Sequence, residues 1–366
     1  MFQVVTHMAT ISYEYAVPFA IMMTLVVVIH ELGHYIVARH FGVKVHEFAF
    51  GFGPALFHWV DSVGTKWRLN LLPLGGYVSM ARSATVNREL GDTDGGLDSF
   101  DVKPIWQRTL IVTAGPIANF VLSTVLIAAM CGVIGKSAPT LLIDDIVMGS
   151  PAKLAGLQKG DLVKAINGVP IRNFGELRNI VSQSRRPLEV EVQRGDHRVS
   201  VRLRPTWVTV PDTNGVHREA QIGVKPAFEL RREGFFSSLV DGTNGTWKLS
   251  VEVVGGIYRV ITGNTNVSAF AGPVGIAVIS HEAWGLGSER FCWLVAVLSV
   301  NLGILNLLPL PLLDGGQLAM FTFEAVSGRP LSLRVTEVSN GLGIAFFALF
   351  FLYLTWSDVA QLIKTS

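Results

Sequence analysis

The chain has 366 residues, of which 49% are hydrophobic and 16% charged, with a net charge of +2 and a mean hydropathy of +0.42. This is too apolar for an ordinary soluble protein of that length and points to a membrane, while no Lys/Arg run or aromatic-basic pattern marks a nucleic-acid partner. Cys131 and Cys292 both sit in apolar runs and read as packed side chains rather than a disulfide or a ligand pair.

Residues 1–16 carry no Lys or Arg, so the basic start of a secretory signal is absent and the first apolar run is expected to be retained. That run starts at Val17, with Pro18 placed as a first-turn residue, and continues through VVVIHELGHYIVARH, Val26 to His40. His30 and His34 are four apart, so a helix puts both imidazoles on one face. Two neutral imidazole nitrogens can hold Zn²⁺, and Glu31 between them is placed to act as general base on a water. An ionisable cluster inside a membrane span is costly and is retained for function.

From Glu47 to Met80 short apolar and polar pieces, HEFAFGFG and KWRLNLL, alternate with Gly/Pro punctuation and predict a small β hairpin. Thr109 to Gly135 has no charge and predicts a second span. Between about 140 and 205 the elements become short. SPAKLAGLQKGDLVKAING gives a short helix, a turn and a strand, FGELRNIVSQS an amphipathic helix, and LEVEVQ and RVSVRL two strands, with KSAPTLLIDDIV ahead of the first strand. Phe236, Val240, Trp247, Val251, Val254, Tyr258 and Ile261 then recur at three and four, predicting a long amphipathic helix with a core-facing stripe, although lying on the membrane also fits. Asn244 and Asn266 open sequons that matter only in a glycosylating host. Phe291 to Leu313 and Val338 to Ser357 are the last uncharged runs, each long enough to cross a hydrocarbon core about 30 Å thick.

Arg39, Lys44, Lys66, Arg68, Arg82, Arg88, Lys103 and Arg108 load the first loop with positive charge, which places that loop in the cytoplasm and the segment from about 136 to 290 outside. Spans one and three then run in the same direction and their C-terminal ends share a depth. A catalytic zinc takes three protein ligands, so one is still missing. His40 lies about 240° around the helix from His34, His46 follows Gly42, where the helix is expected to end, and His58, His197, His217 and His281 fall in loops or outside. The best candidate is Asp314, which follows the third span in NLLPLPLLDGG, in a turn set by Pro309, Pro311, Gly315 and Gly316. Asn70 to Leu74 repeats NLLPL but continues GGYV, without a carboxylate.

HELGH, AGPIANF (Ala114 to Phe120) and NLLPLPLLDGG in this order resemble the site-2 proteases, intramembrane zinc metalloproteases. GFGP (Gly51 to Pro54), PLGGYV (Pro73 to Val78) and AGPVGIA (Ala271 to Ala277) make the chain most similar to the bacterial RseP-like regulators of envelope stress, over nearly its whole length. The resemblance implies one catalytic Zn²⁺ on His30, His34 and Asp314, with Glu31 as catalytic base. It implies substrate contacts from Asn306, Asn301, Gly75 and Gly76, the hairpin being a membrane-associated loop that holds an unwound substrate by strand addition. The 140–205 region resembles a PDZ domain of the bacterial protease type. A GLGF-like carboxylate loop is not evident, and one unit stands where the best-known group members have two.

The expected fold is therefore a polytopic α-helical membrane protein of about four transmembrane helices, with an inserted α+β PDZ-like domain and a membrane-associated β-hairpin loop. Its expected parts are a first span with HELGH at 1–40, the β loop at 41–107, a second span at 108–135, the PDZ-like domain at 140–205, a region with the amphipathic helix at 206–290, and spans three and four at 291–366. The resemblance further implies a bacterial inner-membrane enzyme. Its substrate is a single-span membrane protein in the lipid bilayer, such as an anti-sigma factor first trimmed by a site-1-type protease, or a signal-peptide remnant. A non-catalytic PDZ-bearing scaffold and a metal hydrolase acting on non-transmembrane substrates are the rival readings.

Overall fold

The structure, a computed structural model, describes residues 2–81, 96, 98–212, 215–263, 271–329 and 331–365. Arg82, Arg88 and the sequon at Asn266 lie outside the described residues. The chain divides into two compact units, one formed by Met1–Cys131 with Gly234–Ser366 and the other by Gly132–Glu233.

The first unit is helical around one small sheet. Helix α1 (Phe2–His40) runs straight through Pro18, which is interior to it rather than in its first turn as expected. Met22, Val26, His30, His34 and Ala38 are each at most 7% exposed, and their spacing of four makes them a single stripe. The face that carries the histidines is thus the face α1 packs with. Two long strands follow, β1 (Val45–Val60) and β2 (Lys66–Met80). Both bend back on themselves, so Phe48 pairs with Val78 on one side and Trp67 on the other, and Trp67 pairs again with Trp59. One hairpin thereby supplies four strand segments joined by three ladders, with Gly76–Met80 as an edge beside α1.

Helix α2 (Ile105–Ala129) continues into a wider turn at Met130–Ile134. It lies so close to α1 that a Cβ on Gly33 would stand 2.3 Å from the Ala114 carbonyl oxygen.

The second unit begins with β3 (Lys136–Ile146), the short helix α3 (Pro151–Leu154), β4 (Leu162–Ile166), β5 (Val169–Pro170) and α4 (Phe174–Gln183). It continues with β6 (Leu188–Arg194), β7 (His197–Leu203), β8 (Thr206–Asp212), β9 (Gly215–Gln221) and β10 (Val224–Arg231). The antiparallel sheet has the order β10-β3-β4-β6-β7, with β5 on β4 and β8–β9 a separate hairpin. Ser150 and Asn173 cap α3 and α4 with their side chains, and Asn167 and Gly168, both at positive φ, make the expected tight turn. The unit is larger than the expected 140–205. KSAPTLLIDDI is itself a strand, and β10, inside the region assigned to 206–290, closes the sheet by pairing Lys136 with Arg231 and Ile146 with Val224. Pro226 and the charges of VKPAFELR hide that strand's alternation.

Back in the first unit, α5 (Phe235–Ile261) reverses the expected core-facing stripe. Phe236, Trp247, Tyr258 and Ile261 are 66–80% exposed, and the buried positions are Ser238, Gly242 and Thr246. Gly242 sits against the Thr124 carbonyl of α2, and Thr246 bonds Ser123 at 3.2 Å. Small residues let the two backbones approach, as between membrane helices. Helices α6 (Pro273–Gly285), α7 (Ser288–Asn306), α8 (Asp314–Ser327) and α9 (Leu333–Thr365) complete the unit. AGPVGIA opens α6, where the buried Asp358 of α9 accepts from the backbone N–H of Gly272 at 3.0 Å and Gly275 at 2.7 Å, completing a helix N-terminus. α7 stops at Asn306, so the third apolar run is a shorter helix followed by a turn with Leu312 at φ 74°. Arg108 at the start of α2 makes a two-pronged ion pair with Glu324 of α8, at 2.7 and 3.1 Å.

Among the described residues four helices are long and apolar enough to cross a membrane, over Tyr13–His40, Ile105–Ile134, Ser288–Asn306 and Arg334–Ala360. Cys131 and Cys292 are half-buried and not joined by a disulfide.

In the second unit the buried Asp161 receives Arg194 at 2.7 and 2.8 Å and the Gln158 N–H at 2.8 Å. Burial raises its pKa, but Arg194 and Gln158 outweigh it and hold it below the usual 3.8. This stabilisation is therefore present above the unfolded value and lost as pH falls through the lower, folded one. Arg194→Ala leaves the carboxylate buried without its cation and is expected to lower the urea midpoint of residues 132–233 at pH 7, with a smaller difference from wild type at pH 3.

Candidate metal centre

α1, α2, α7 and the turn before α8 converge on a cavity of about 360 Å³ whose lining includes His30, Glu31, His34, Asn306 and Asp314. His30 Nε2 and His34 Nε2 are 3.1 Å apart, and Asp314 Oδ2 lies 3.1 Å from the first and 3.4 Å from the second. Four-coordinate zinc with bonds of about 2.0–2.2 Å separates its ligand atoms by about 3.3–3.6 Å, and the three atoms, at 3.1, 3.1 and 3.4 Å, come close to that spacing. The Asp314 side chain is 12% exposed, yet its Oδ2 makes no hydrogen bond. A buried carboxylate oxygen without a donor, facing two ring nitrogens, is what a cation site requires. Among the described residues this is the one cluster of three or more such groups able to hold a metal.

Each side chain is positioned by a nearby constraint. The outer nitrogen of His34, Nδ1, bonds the Ile111 carbonyl at 2.8 Å. A carbonyl only accepts, so this ring carries its proton on Nδ1 and presents a bare Nε2. Gly115 on α2 makes room for the rings, since a Cβ there would stand 2.3 Å from His34 Nε2. Gly315 and Gly316 do the same for the turn holding Asp314, where added Cβ atoms would stand 2.2 Å from the Leu308 and Leu310 carbonyl oxygens. Glu31 Oε2 accepts the Val78 N–H at 3.0 Å, tying the carboxylate to the β2 edge.

The structure brings His30, Glu31, His34, Asp314 and Asn306 together, the last with Nδ2 3.4 Å from His30 Nε2. It does not bring Asn301 to the cavity: five residues earlier on α7, it points about 140° away, and the cavity lining does not include it. Gly75 and Gly76 do not line the cavity either, although their neighbours Tyr77 and Val78 do. Gly76 lets β2 approach β1, because a Cβ would stand 2.5 Å from the Ala49 oxygen, and Gly75 has φ +109°. His40 and His46 stay outside the cluster, and His281 bonds the Glu14 carbonyl at 3.1 Å. Sequence reasoning missed Gly115 and Asn119, which are buried on α2, the latter 3.2 Å from His30 Nδ1. Their spacing of four within AGPIANF was the available signal.

The model of peptidase family M50 matches residues 18–350. The chain belongs to peptidase family M50. The metalloprotease MmpA of Caulobacter vibrioides is 31% identical over 373 residues, covering 92% of this chain and 93% of its own. The zinc metalloprotease RasP of Geobacillus kaustophilus is 29% identical over 423 residues, covering 96% and 99%. This M50 chain is a zinc metalloprotease of the site-2 type. A solved PDZ domain of the SdrC-like protein from Listeria monocytogenes, 19% identical, matches 25% of the chain and 87% of its own length at a TM-score of 0.18, too low to settle the fold of that region.

Gly115→Ala places a methyl where the His34 ring stands. Loss of more than nine-tenths of proteolysis is expected, with a matching fall in zinc per purified chain, while Gly341→Ala, on a glycine with open space, leaves both unchanged.

Proposed function

We propose that His30, His34 and Asp314 hold one zinc ion, that Glu31 is the general base, and that the site cuts within transmembrane segments. The observation that carries this reading is the convergence of three ligand atoms on the buried stripe of a helix otherwise apolar enough to span a membrane.

Zinc held there would polarise the scissile carbonyl and acidify a water at the open position. Glu31 takes the proton of the attacking water and returns it to the leaving amide nitrogen. The Asn306 amide donates to the developing oxyanion without adding charge. A transmembrane substrate arrives as a helix whose peptide bonds are internally hydrogen-bonded, so it must be extended first. The Gly76–Met80 edge beside the cavity suits that task by strand addition. Asn301 has no comparable place, and Gly75 and Gly76 serve by shaping this edge.

The hairpin is also fitted to lipid: Leu56, Phe57, Trp59 and Val60 are 42–64% exposed. The charge on the 41–107 loop orients the chain with its N-terminus outside, the metal site near the cytoplasmic face of a bacterial inner membrane, and residues 132–233 outside. That unit, read as PDZ-like, is a docking surface or filter for substrates already shortened outside. Single-span anti-sigma factors trimmed by a site-1-type protease and signal-peptide remnants have the required form. A PDZ-bearing scaffold has no use for a carboxylate set between two ligands and lining their cavity.

Glu31→Gln keeps size and removes the base. Cleavage of a model transmembrane segment is expected to fall at least about 100-fold, with zinc content and substrate capture retained, whereas His34→Ala loses zinc as well. Undiminished cleavage by Glu31→Gln, or equal zinc in wild type and His34→Ala, would overturn the assignment.

A further inference from the structure

α2 supplies no ligand, yet it touches the outer nitrogen of both imidazoles. For His34 the partner is the Ile111 carbonyl, which settles the tautomer. For His30 it is the side-chain amide of Asn119, 3.2 Å from Nδ1. An amide is not a carbonyl, since it can present either a donor or an acceptor.

We propose that Asn119 is a positioning residue of the metal site: its side-chain oxygen accepts Nδ1–H of His30 and so keeps Nε2 bare toward Asp314 and His34. The inference rests on the zinc reading above. Asn119 is 0% exposed. With its nitrogen toward the ring its Oδ1 is buried without a partner. In that arrangement Nδ1 is the acceptor and the ring proton sits on Nε2. There it would occupy the lone pair that lies 3.1 Å from both His34 Nε2 and Asp314 Oδ2. A half-turn of the amide exchanges oxygen and nitrogen with almost no change of shape. It gives Nδ1–H an acceptor and frees Nε2 as a ligand. The same half-turn decides whether His30 competes for a metal or for a proton.

Asn119 is also held in place for this role. Ser299 of α7, itself 0% exposed, donates to the Asn119 carbonyl at 2.8 Å. A Cβ on Gly303 of α7 would stand 3.5 Å from the Asn119 Cβ, so α7 packs close against this residue. The backbone of α2 is thus fixed from the third span at the residue whose side chain orients a ligand of the first.

The test compares full-length wild type, His34→Ala, Asn119→Asp and Asn119→Leu in detergent. Zinc affinity is measured by competition with a chromophoric chelator, and the unfolding midpoint is measured on zinc-stripped protein. Asp keeps an acceptor at the ring nitrogen and Leu keeps the volume without one. Asn119→Leu is expected to bind zinc about 10–100-fold more weakly, Asn119→Asp close to wild type, and the two stripped variants to melt together. Should Asn119→Leu not accumulate as folded protein, Asn119→Ala takes its place with the same expectation. Wild-type affinity in the apolar variant, or an Asp variant as weak as it, overturns the role of Asn119. Equal affinity in wild type and His34→Ala overturns the zinc reading and this inference with it.

Discussion

Everything in the first unit answers to the contact between Asp314 Oδ2 and the two imidazole nitrogens, at 3.1 and 3.4 Å. A carboxylate and two imidazoles inside an apolar bundle are expensive to desolvate and gain little from each other unless a cation binds them together. The bundle must therefore bring two chain segments nearly three hundred residues apart into register. Arg108 with Glu324 fixes the far end of the helix that Asp314 opens.

Close backbone approach is how that register is obtained. Gly33 admits the Ala114 carbonyl, Gly115 admits the rings, and Gly315 and Gly316 admit the preceding turn. Small residues and buried hydrogen bonds join these apolar helices, the means by which helices pack where no hydrophobic force pulls them together. α5 shows the same principle from outside. It presents Ser238, Gly242 and Thr246 to α2 and turns its aromatics away.

That inversion marks a limit of reading this chain from its sequence. Periodicity at three and four tells that α5 has an apolar stripe but not which way the stripe faces, and against the apolar α2 the packed face is the small, polar one. The convergence of His30, His34 and Asp314 was legible for a different reason. HELGH puts its chemistry on one face at helical spacing, and Asp314 is a carboxylate stranded at the end of an apolar run between prolines and glycines. Asn119 and Gly115 were not legible because AGPIANF satisfies a spanning helix without further explanation. The doubled pairing of β1 and β2 was hidden because one apolar stretch serves two ladders, and β10 because closing a sheet with the strand that opened it is a long-range property.

The placement of the general base follows from the same geometry. Glu31 is one residue beyond His30, about 100° around the helix, so it cannot share the buried stripe and instead faces the β2 edge, where Val78 N–H meets it at 3.0 Å. The edge and the carboxylate to which the proposed mechanism assigns the extended substrate and the general base thus share a hydrogen-bonding group. Under the strand addition proposed above, an extended peptide on this edge lies beside Glu31, where a helix passing the same cavity would find no strand to join.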